Sequence, residues 1–295
     1  MIPTLSSHST VEDISSACSE WGAFYFPFVV STPCNVGQVF EYTHPSPKIS
    51  GGFKRGYLGY GMESGSTLIE AKEGFSFGMS VKDPLNKLQG ENVWPIGFPP
   101  ESQASLLGLF SDLCNISLEI LDMLSLSLGK DEHFLRNYCS RGDSISICRL
   151  FNYLSIDEAL QKFPGCPNYA GSSEHTDWGF ITVIIVQDGQ SGLELKKNNQ
   201  WIPVKGKAGH VIVNLGDYLS GLTRNRYHSP VHRVVLSDQK RLSTVFFYYP
   251  DYESKIPFLV DDNAEWNSSP RPQISESSFG DLLYEKWNAV SRHGY

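Results

Sequence analysis

The sequence predicts a mainly β fold with flanking helices, its core a sandwich or barrel. Three observations carry that expectation. After Gly142 the chain breaks into short β-rich runs separated by turn residues, a texture that suits a sandwich or barrel. Before that point the strongest periodic signal is one long amphipathic helix. The run 180–186 is apolar but for Thr182, as expected of a strand covered on both faces.

In chain order, Thr10 followed by Val11, Ile14, Ala17, Cys18 and Trp21 makes a short amphipathic helix. Thr10 caps it, Asp13 sits in its first turn and Gly22 ends it. Residues 24–30 are apolar and aromatic, a strand broken by Pro27. From Ser31 to Gly61 Pro, Gly and Ser dominate, and irregular structure with one or two short helices is expected. Leu106, Leu107, Phe110, Leu113, Leu121, Leu124 and Leu128 recur at three- and four-residue steps. They predict a helix from about Glu101 to Leu128, packed on the sheet and stopped by Gly129. A second short helix is expected at 131–138.

Strands follow near 144–154, 180–187, 192–195, 200–204, 210–214, 231–236 and 242–249, with Gly209, Gly216 and Gly221 at tight corners between them. Polar residues dominate beyond Asp251 until 279–287, where Phe279, Leu282, Leu283 and Trp287 suggest a last helix folding back on the body. The organisation expected is a single domain over 1–295. It comprises a helical and mixed region to about 142, a catalytic core at about 143–250 and a tail or lid at about 251–295.

The chain, at 295 residues, is long enough to bury a real core. A net charge of -8 leaves no nucleic-acid footprint, and basic residues occur singly or in pairs such as Lys196-Lys197. The cysteines (Cys18, Cys34, Cys114, Cys139, Cys148 and Cys166) form no CxxC pair, so neither a zinc finger nor a disulfide framework is expected. The N-terminus lacks a basic-then-apolar pattern, and no run approaches bilayer-spanning length. The expectation is a soluble cytoplasmic protein, a monomer or weak homo-oligomer, with a small-molecule substrate and neither nucleic acid nor membrane as partner.

The chemistry centres on His175-Thr176-Asp177. His and Asp two residues apart on an extended segment point the same way. A third ligand far downstream completes two imidazoles and one carboxylate. That set leaves coordination positions open and is the usual cage for a non-haem Fe(II) that handles O2. His232 lies in a strand-like run, Arg241 follows nine residues on, and Ser243 alternates onto the same face as Arg241. A guanidinium fork and a hydroxyl suit the carboxylate of a small acid whose other end reaches the metal. Set in the apolar run with Val245, Phe246 and Phe247, Arg241 would be costly without an anion. His228, four before His232, is a rival that strand parity does not separate, although Pro230 between them works against regular pairing. His210 reads as structural or exposed, and His8, His44, His133 and His293 as surface residues.

Several segments occur together in a familiar order: His175-Thr176-Asp177-Trp178-Gly179, Gly192-Leu193-Glu194-Leu195, Trp201-Ile202-Pro203-Val204, Val213-Asn214-Leu215-Gly216-Asp217, Tyr227-His228-Ser229-Pro230-Val231-His232-Arg233-Val234 and Arg241-Leu242-Ser243. In these the chain resembles the 2-oxoglutarate- and Fe(II)-dependent dioxygenases of the isopenicillin N synthase-like branch. The resemblance covers about 144–250 and echoes faintly in 17–22 and 55–57. It implies a double-stranded β-helix (a cupin-like jelly roll) with the metal at its mouth. Fe(II), 2-oxoglutarate and O2 would then oxidise an unactivated C–H of a small molecule from specialised metabolism, by hydroxylation, desaturation or oxidative cyclisation.

Carried over by position, His175, Asp177 and His232 become the iron ligands, the ligand preceding Arg-Val being His232 rather than His228. Arg241, Ser243 and Tyr153 become the cosubstrate-binding residues. A longer than usual segment separates Tyr153 from His175. Lys54 and Arg55 fall where some relatives bind a substrate carboxylate. Arg224 and Arg226 add charge near the expected mouth, either for an acidic substrate or on a solvated loop, and His228 becomes a rim residue. The family often has Asn-Gly where this chain has Arg224-Asn225, and Asn tolerates the left-handed backbone that turn needs. Trp178, Phe180 and Phe247 either line the pocket or pack in the core. Arg233 and Asp217 read as structural. Two other readings remain: an iron oxidase of this fold that does without 2-oxoglutarate, and a non-catalytic protein that binds a small acid. A zinc hydrolase uses the same ligand types but leaves the Arg-x-Ser pair unexplained.

Overall fold

The computed structural model describes residues 1–43, 54–63, 68–139, 145–166, 168–260 and 277–291. His44, Gly142 and His293, named above, lie outside them. Helix α1 (Val11–Glu20) opens with a capping box in which Thr10 and Asp13 satisfy each other's backbone N–H. It ends at Gly22, whose φ of 63° favours glycine and where a Cβ would lie 2.1 Å from the His228 carbonyl. Strand β1 (Ala23–Pro27) stops at the proline instead of continuing to 30, because Pro has no N–H for the ladder.

Between 31 and 61 the one short helix among the described residues is a 3-10 turn at Gln38–Glu41. Strands β2 (Gly56–Leu58), β3 (Ile69–Glu70) and β4 (Lys72–Gly78) were not expected from the sequence. Helix α2 (Pro100–Ser127) agrees with prediction, with Pro100 in its first turn and Gly129 left-handed just past its end. Among the described residues it is the one helix long and apolar enough to cross a membrane, which corrects the expectation that no run approaches that length. Its buried stripe nevertheless packs on the sheet, with the Phe110 ring 5.2 Å from Phe246 and 6.3 Å from Phe77. The helix expected at 131–138 is only a 3-10 turn, Arg136–Tyr138, held by the paired Asp122 and Arg136.

Then come β5 (Ile147–Tyr153), α3 (Ile156–Lys162), β6 (Tyr169–Ala170), β7 (Ser172–His175) and β8 (Ile181–Val186). They are followed by β9 (Leu193–Lys197), β10 (Gln200–Val204), β11 (His210–Leu215) and α4 (Asp217–Leu222). Strands β12 (His232–Val234) and β13 (Arg241–Tyr248) and helix α5 (Phe279–Ser291) complete the described elements. Each of the seven strands predicted after residue 142 is present within a few residues of its expected place. Gly221, expected at a corner, instead sits inside α4.

The strands form a seven-stranded sheet in the order β1-β11-β8-β13-β5-β4-β2, a four-stranded sheet β10-β9-β12-β7, and the small pair β3-β6. The two larger sheets wrap as a double-stranded β-helix. Strand β8 shows how one sequence serves two cores. Ile181 and Val183 face the cluster that includes α2, while Ile184 and Val186 face the barrel interior with Leu193, Leu195 and Val234. Alternation puts each pair on its own face, so the nearly unbroken apolar run follows from burial on both sides. All six cysteines are free.

Candidate active site

His175 closes β7 and His232 opens β12, and the two are cross-strand partners with ring centres 4.2 Å apart. Asp177 lies in the turn just past β7. That turn is pinned by the start of α4, where the Asp217 N–H donates to the Asp177 carbonyl at 2.7 Å and Thr176 Oγ1 donates to the Asp217 carboxylate. Asp217 thus has the structural role its sequence suggested.

Backbone carbonyls fix both imidazoles. His175 Nδ1 lies 2.7 Å from Ser173 O and His232 Nδ1 lies 3.1 Å from Pro230 O. A carbonyl only accepts, so each Nδ1 carries the proton and each Nε2 presents a lone pair. Those Nε2 atoms face different oxygens of one carboxylate, at 3.8 Å (His175 to Asp177 Oδ1) and 3.7 Å (His232 to Asp177 Oδ2). Among the described residues Asp177 Oδ2 is buried with no hydrogen-bond partner. Burial and the neighbouring His232 both lower the pKa of His175. Its exposed edge opens into the cavity, so the neutral ring that a metal needs is the favoured form. A second cluster of donor atoms, Asp122, Glu132 and His133, is more exposed, and its Asp122 is already engaged by Arg136.

Deeper along the same wall, Arg241 and Ser243 project from β13, and Tyr153 of β5 stands directly across from Arg241. The Arg241 guanidinium lies 4.8 Å from the Tyr153 ring centre. Among the described residues Arg241 Nε and Nη1 and Ser243 Oγ are buried without hydrogen-bond partners. Unpaired buried groups of this kind are costly, and here they converge on space that an acid could fill. A cavity of about 280 Å³ joins this end to His175, Asp177 and His232 and continues to Trp178, Phe247 and Trp287. The donor set suits a divalent transition metal, and the orphaned guanidinium and hydroxyl suit a small diacid beside it.

Other sequence candidates fall elsewhere. Phe180 packs in the core against Tyr218 and does not line the cavity. His228 is also outside the lining; its backbone N–H is held by Cys18 O, and burial lowers the pKa of its ring. Arg224 adopts φ 52° and Asn225 φ 63°, so the left-handed turn forms as expected. Arg224 stacks on Phe258 at 4.1 Å and donates to Val260 O, and it does not reach the cavity wall. Arg226 leans on Tyr227. Lys54 and Arg55 border a separate small hollow, with Lys54 over the Trp287 ring and Arg55 buried beside Gly78. Arg55 has no hydrogen-bond partner among the described residues. Arg233 pairs with Glu194 and faces away from the site, as alternation predicted.

The sequence reading passed over one side of the cavity. Lys72 is paired with Glu70 and lies 3.6 Å from Glu63, whose carboxylate accepts from Arg149 Nη2 at 2.6 Å. Arg149 Nε donates to Ser76 Oγ at 3.0 Å, and Glu70 accepts the Ser173 N–H at 2.7 Å, two residues before His175. Burial opposes charge on both glutamates, but Lys72 holds Glu70, and Arg149 and Lys72 hold Glu63, below the ordinary carboxylate value. Parity with Tyr153 on β5 could have flagged Arg149. Glu70 and Lys72 lie on β3 and β4, short strands that were not expected from the sequence.

The profile of the 2OG-Fe(II) oxygenase superfamily matches residues 146–250. Jasmonate-induced oxygenase 2 of Arabidopsis thaliana is 30% identical over 260 residues, 83% of this chain and 65% of its own length. The 2-oxoglutarate-dependent dioxygenase caaD of Aspergillus niger is 28% identical over 219 residues, 72% of this chain and 66% of its own. The chain therefore spans just under two thirds of the length of these relatives. Among solved structures, a full-length Neurospora crassa protein in complex with alpha-KG has a TM-score of 0.73 at 23% identity, covering 95% of this chain and 90% of that one.

Proposed function

We propose, from the premise that this chain belongs to the 2OG-Fe(II) oxygenase superfamily, that it oxidises an unactivated C–H bond of a small molecule from specialised metabolism. One observation carries the reading. Within one cavity a buried carboxylate oxygen without a donor sits among two imidazole Nε2 atoms, and an arginine and a serine without partners lie deeper in.

When bound, iron(II) with 2-oxoglutarate and O2 supplies the oxidising power that removes hydrogen from such a bond. The chain does the rest. His175 and His232 hold the metal through Nε2, kept in that tautomer by Ser173 O and Pro230 O. Asp177 supplies the third ligand from a turn fixed by α4. Arg241, with Ser243 and Tyr153, holds the far carboxylate of the cosubstrate. Trp178, Phe247 and Trp287 exclude water and orient the substrate. Hydroxylation, desaturation and ring closure differ only in where that substrate is placed.

The test is release of CO2 and succinate from 2-oxoglutarate by the iron-loaded protein, coupled to loss of a compound from a broad small-molecule panel. Turnover that needs iron and O2 but no 2-oxoglutarate would assign the chain to the oxidase alternative instead.

A further inference from the structure

The cavity has two cationic ends, and only one of them is open. Arg241, Ser243 and Tyr153 make the first, where Arg241 keeps buried nitrogens unpaired. The second is made by Arg149 and Lys72, and a carboxylate of this same chain, Glu63, already occupies it at 2.6 and 3.6 Å. Lys72 stands across from Tyr153 in register, so the two ends meet there, and Arg149 lies farther along. Arg149 and Tyr153 are four residues apart on one face of β5, about 13 Å along a strand. A five-carbon diacid held at Arg241 with its other end on the metal cannot also reach Arg149.

The second end is built to take a carboxylate. Phe151 lies between its two cations, with Arg149 4.8 Å and Lys72 5.1 Å from the ring centre. Gly74 across from it leaves room for that ring, since a Cβ there would stand 3.2 Å from Phe151. Ser76 fixes the Arg149 Nε, and Glu70 fixes Lys72. Both cations are nearly buried, at 9% and 7% exposure, whereas the Glu63 side chain keeps 22% and is the outermost member of the chain of pairs. Charge is balanced with Glu63 in place, and it stays balanced if another carboxylate replaces it.

We infer that the Arg149–Lys72 clamp is the substrate-recognition subsite and selects molecules carrying a carboxylate, which displaces Glu63 on binding. The inference rests on the oxygenase reading for its meaning, but its test is separable. Glu63 then acts as an internal competitor, weakening acids by a fixed factor and shielding the two cations while the pocket waits.

Tryptophan fluorescence reports binding, because Trp178 and Trp287 line the cavity. Small apolar carboxylic acids, their methyl esters and the corresponding primary amines are titrated into the full-length protein. One series holds Fe(II) and saturating 2-oxoglutarate without oxygen, and a parallel series holds neither. Acids are expected to bind about tenfold or more tighter than their esters. Glu63→Gln should tighten acids several-fold and leave esters alone, and Arg149→Met should erase the preference, with Arg149→Lys restoring part of it. The inference is overturned if acids and esters bind alike in both the wild type and Glu63→Gln, or if amines bind best and lose that advantage in Glu63→Gln. Loss of the iron–cosubstrate absorption in the wild type would count against the oxygenase reading alone, because the effects of Glu63→Gln and Arg149→Met still report on the clamp in the series without metal, where acids also meet the open Arg241.

Discussion

His232 Nε2 stands 3.7 Å from Asp177 Oδ2, a buried oxygen that accepts no hydrogen bond among the described residues. A buried carboxylate oxygen left without a donor is costly unless a cation meets it, which is the arrangement expected of a metal-binding element.

His232→Ala is therefore expected to lose tight binding of Fe(II) or Co(II), measured by metal content after desalting. His228→Ala should retain it, since His228 lies outside the cavity lining. Equal loss in both would show that the wrong histidine has been assigned.

Arg241→Gln should weaken 2-oxoglutarate about tenfold or more, because it removes the charged donor assigned to its far carboxylate. Ser243→Ala should cost about two- to tenfold. Calorimetric titration of the cosubstrate into metal-loaded protein checks both, and metal affinity should not change in either variant.

The buried pairs around Lys72 link stability to pH. Glu63 and Glu70 are held below the ordinary value of 4.5, so their contribution is complete above pH 4.5 and is lost as pH falls through their depressed pKa values. Lys72 is raised above 10.5, so its contribution is complete below that pH and is lost above it. Lys72→Met leaves buried carboxylates uncompensated and should cost about 3 kcal/mol. Its Tm deficit should be flat between pH 4.5 and 10.5 and shrink on the acid side, which thermal melts across a pH series would reveal.

Gly216→Ala tests close packing under the site. A Cβ there would stand 2.2 Å from the Gly179 carbonyl, on the backbone that follows Asp177 and Trp178. Destabilisation of more than about 2 kcal/mol is expected in urea melts, along with weaker metal binding.

What could be read in the sequence was local and periodic. The parity of His175 and Asp177, the apolar run of β8 and the stripe of α2 each follow from side-chain spacing along one element. Partnerships between elements could not be read that way. That Tyr153 faces Arg241, or that Glu70 braces the strand entering His175, depends on register between segments tens of residues apart. Strand β4 was missed for a physical reason. Its Gly74 and Gly78 look like turn residues, yet they are glycines because Phe151 and Arg55 lie across them. Helix α3 carried a visible signal, Ser155 followed by Glu158, which forms a capping box in the structure; in the sequence it was read only as an insertion. Gly221 misled in the opposite sense, since a glycine inside a short helix resembles a corner.

The most direct measurement is an anaerobic titration of the metal-free protein with Fe(II) and 2-oxoglutarate, followed by visible absorption. One iron and one 2-oxoglutarate per chain should together produce a charge-transfer band that neither gives alone. The band should be absent in His232→Ala and should need far more cosubstrate in Arg241→Gln. Iron binding with no band at any 2-oxoglutarate concentration, or an unchanged band in His232→Ala, would contradict the assignment of this cavity as the oxygenase centre.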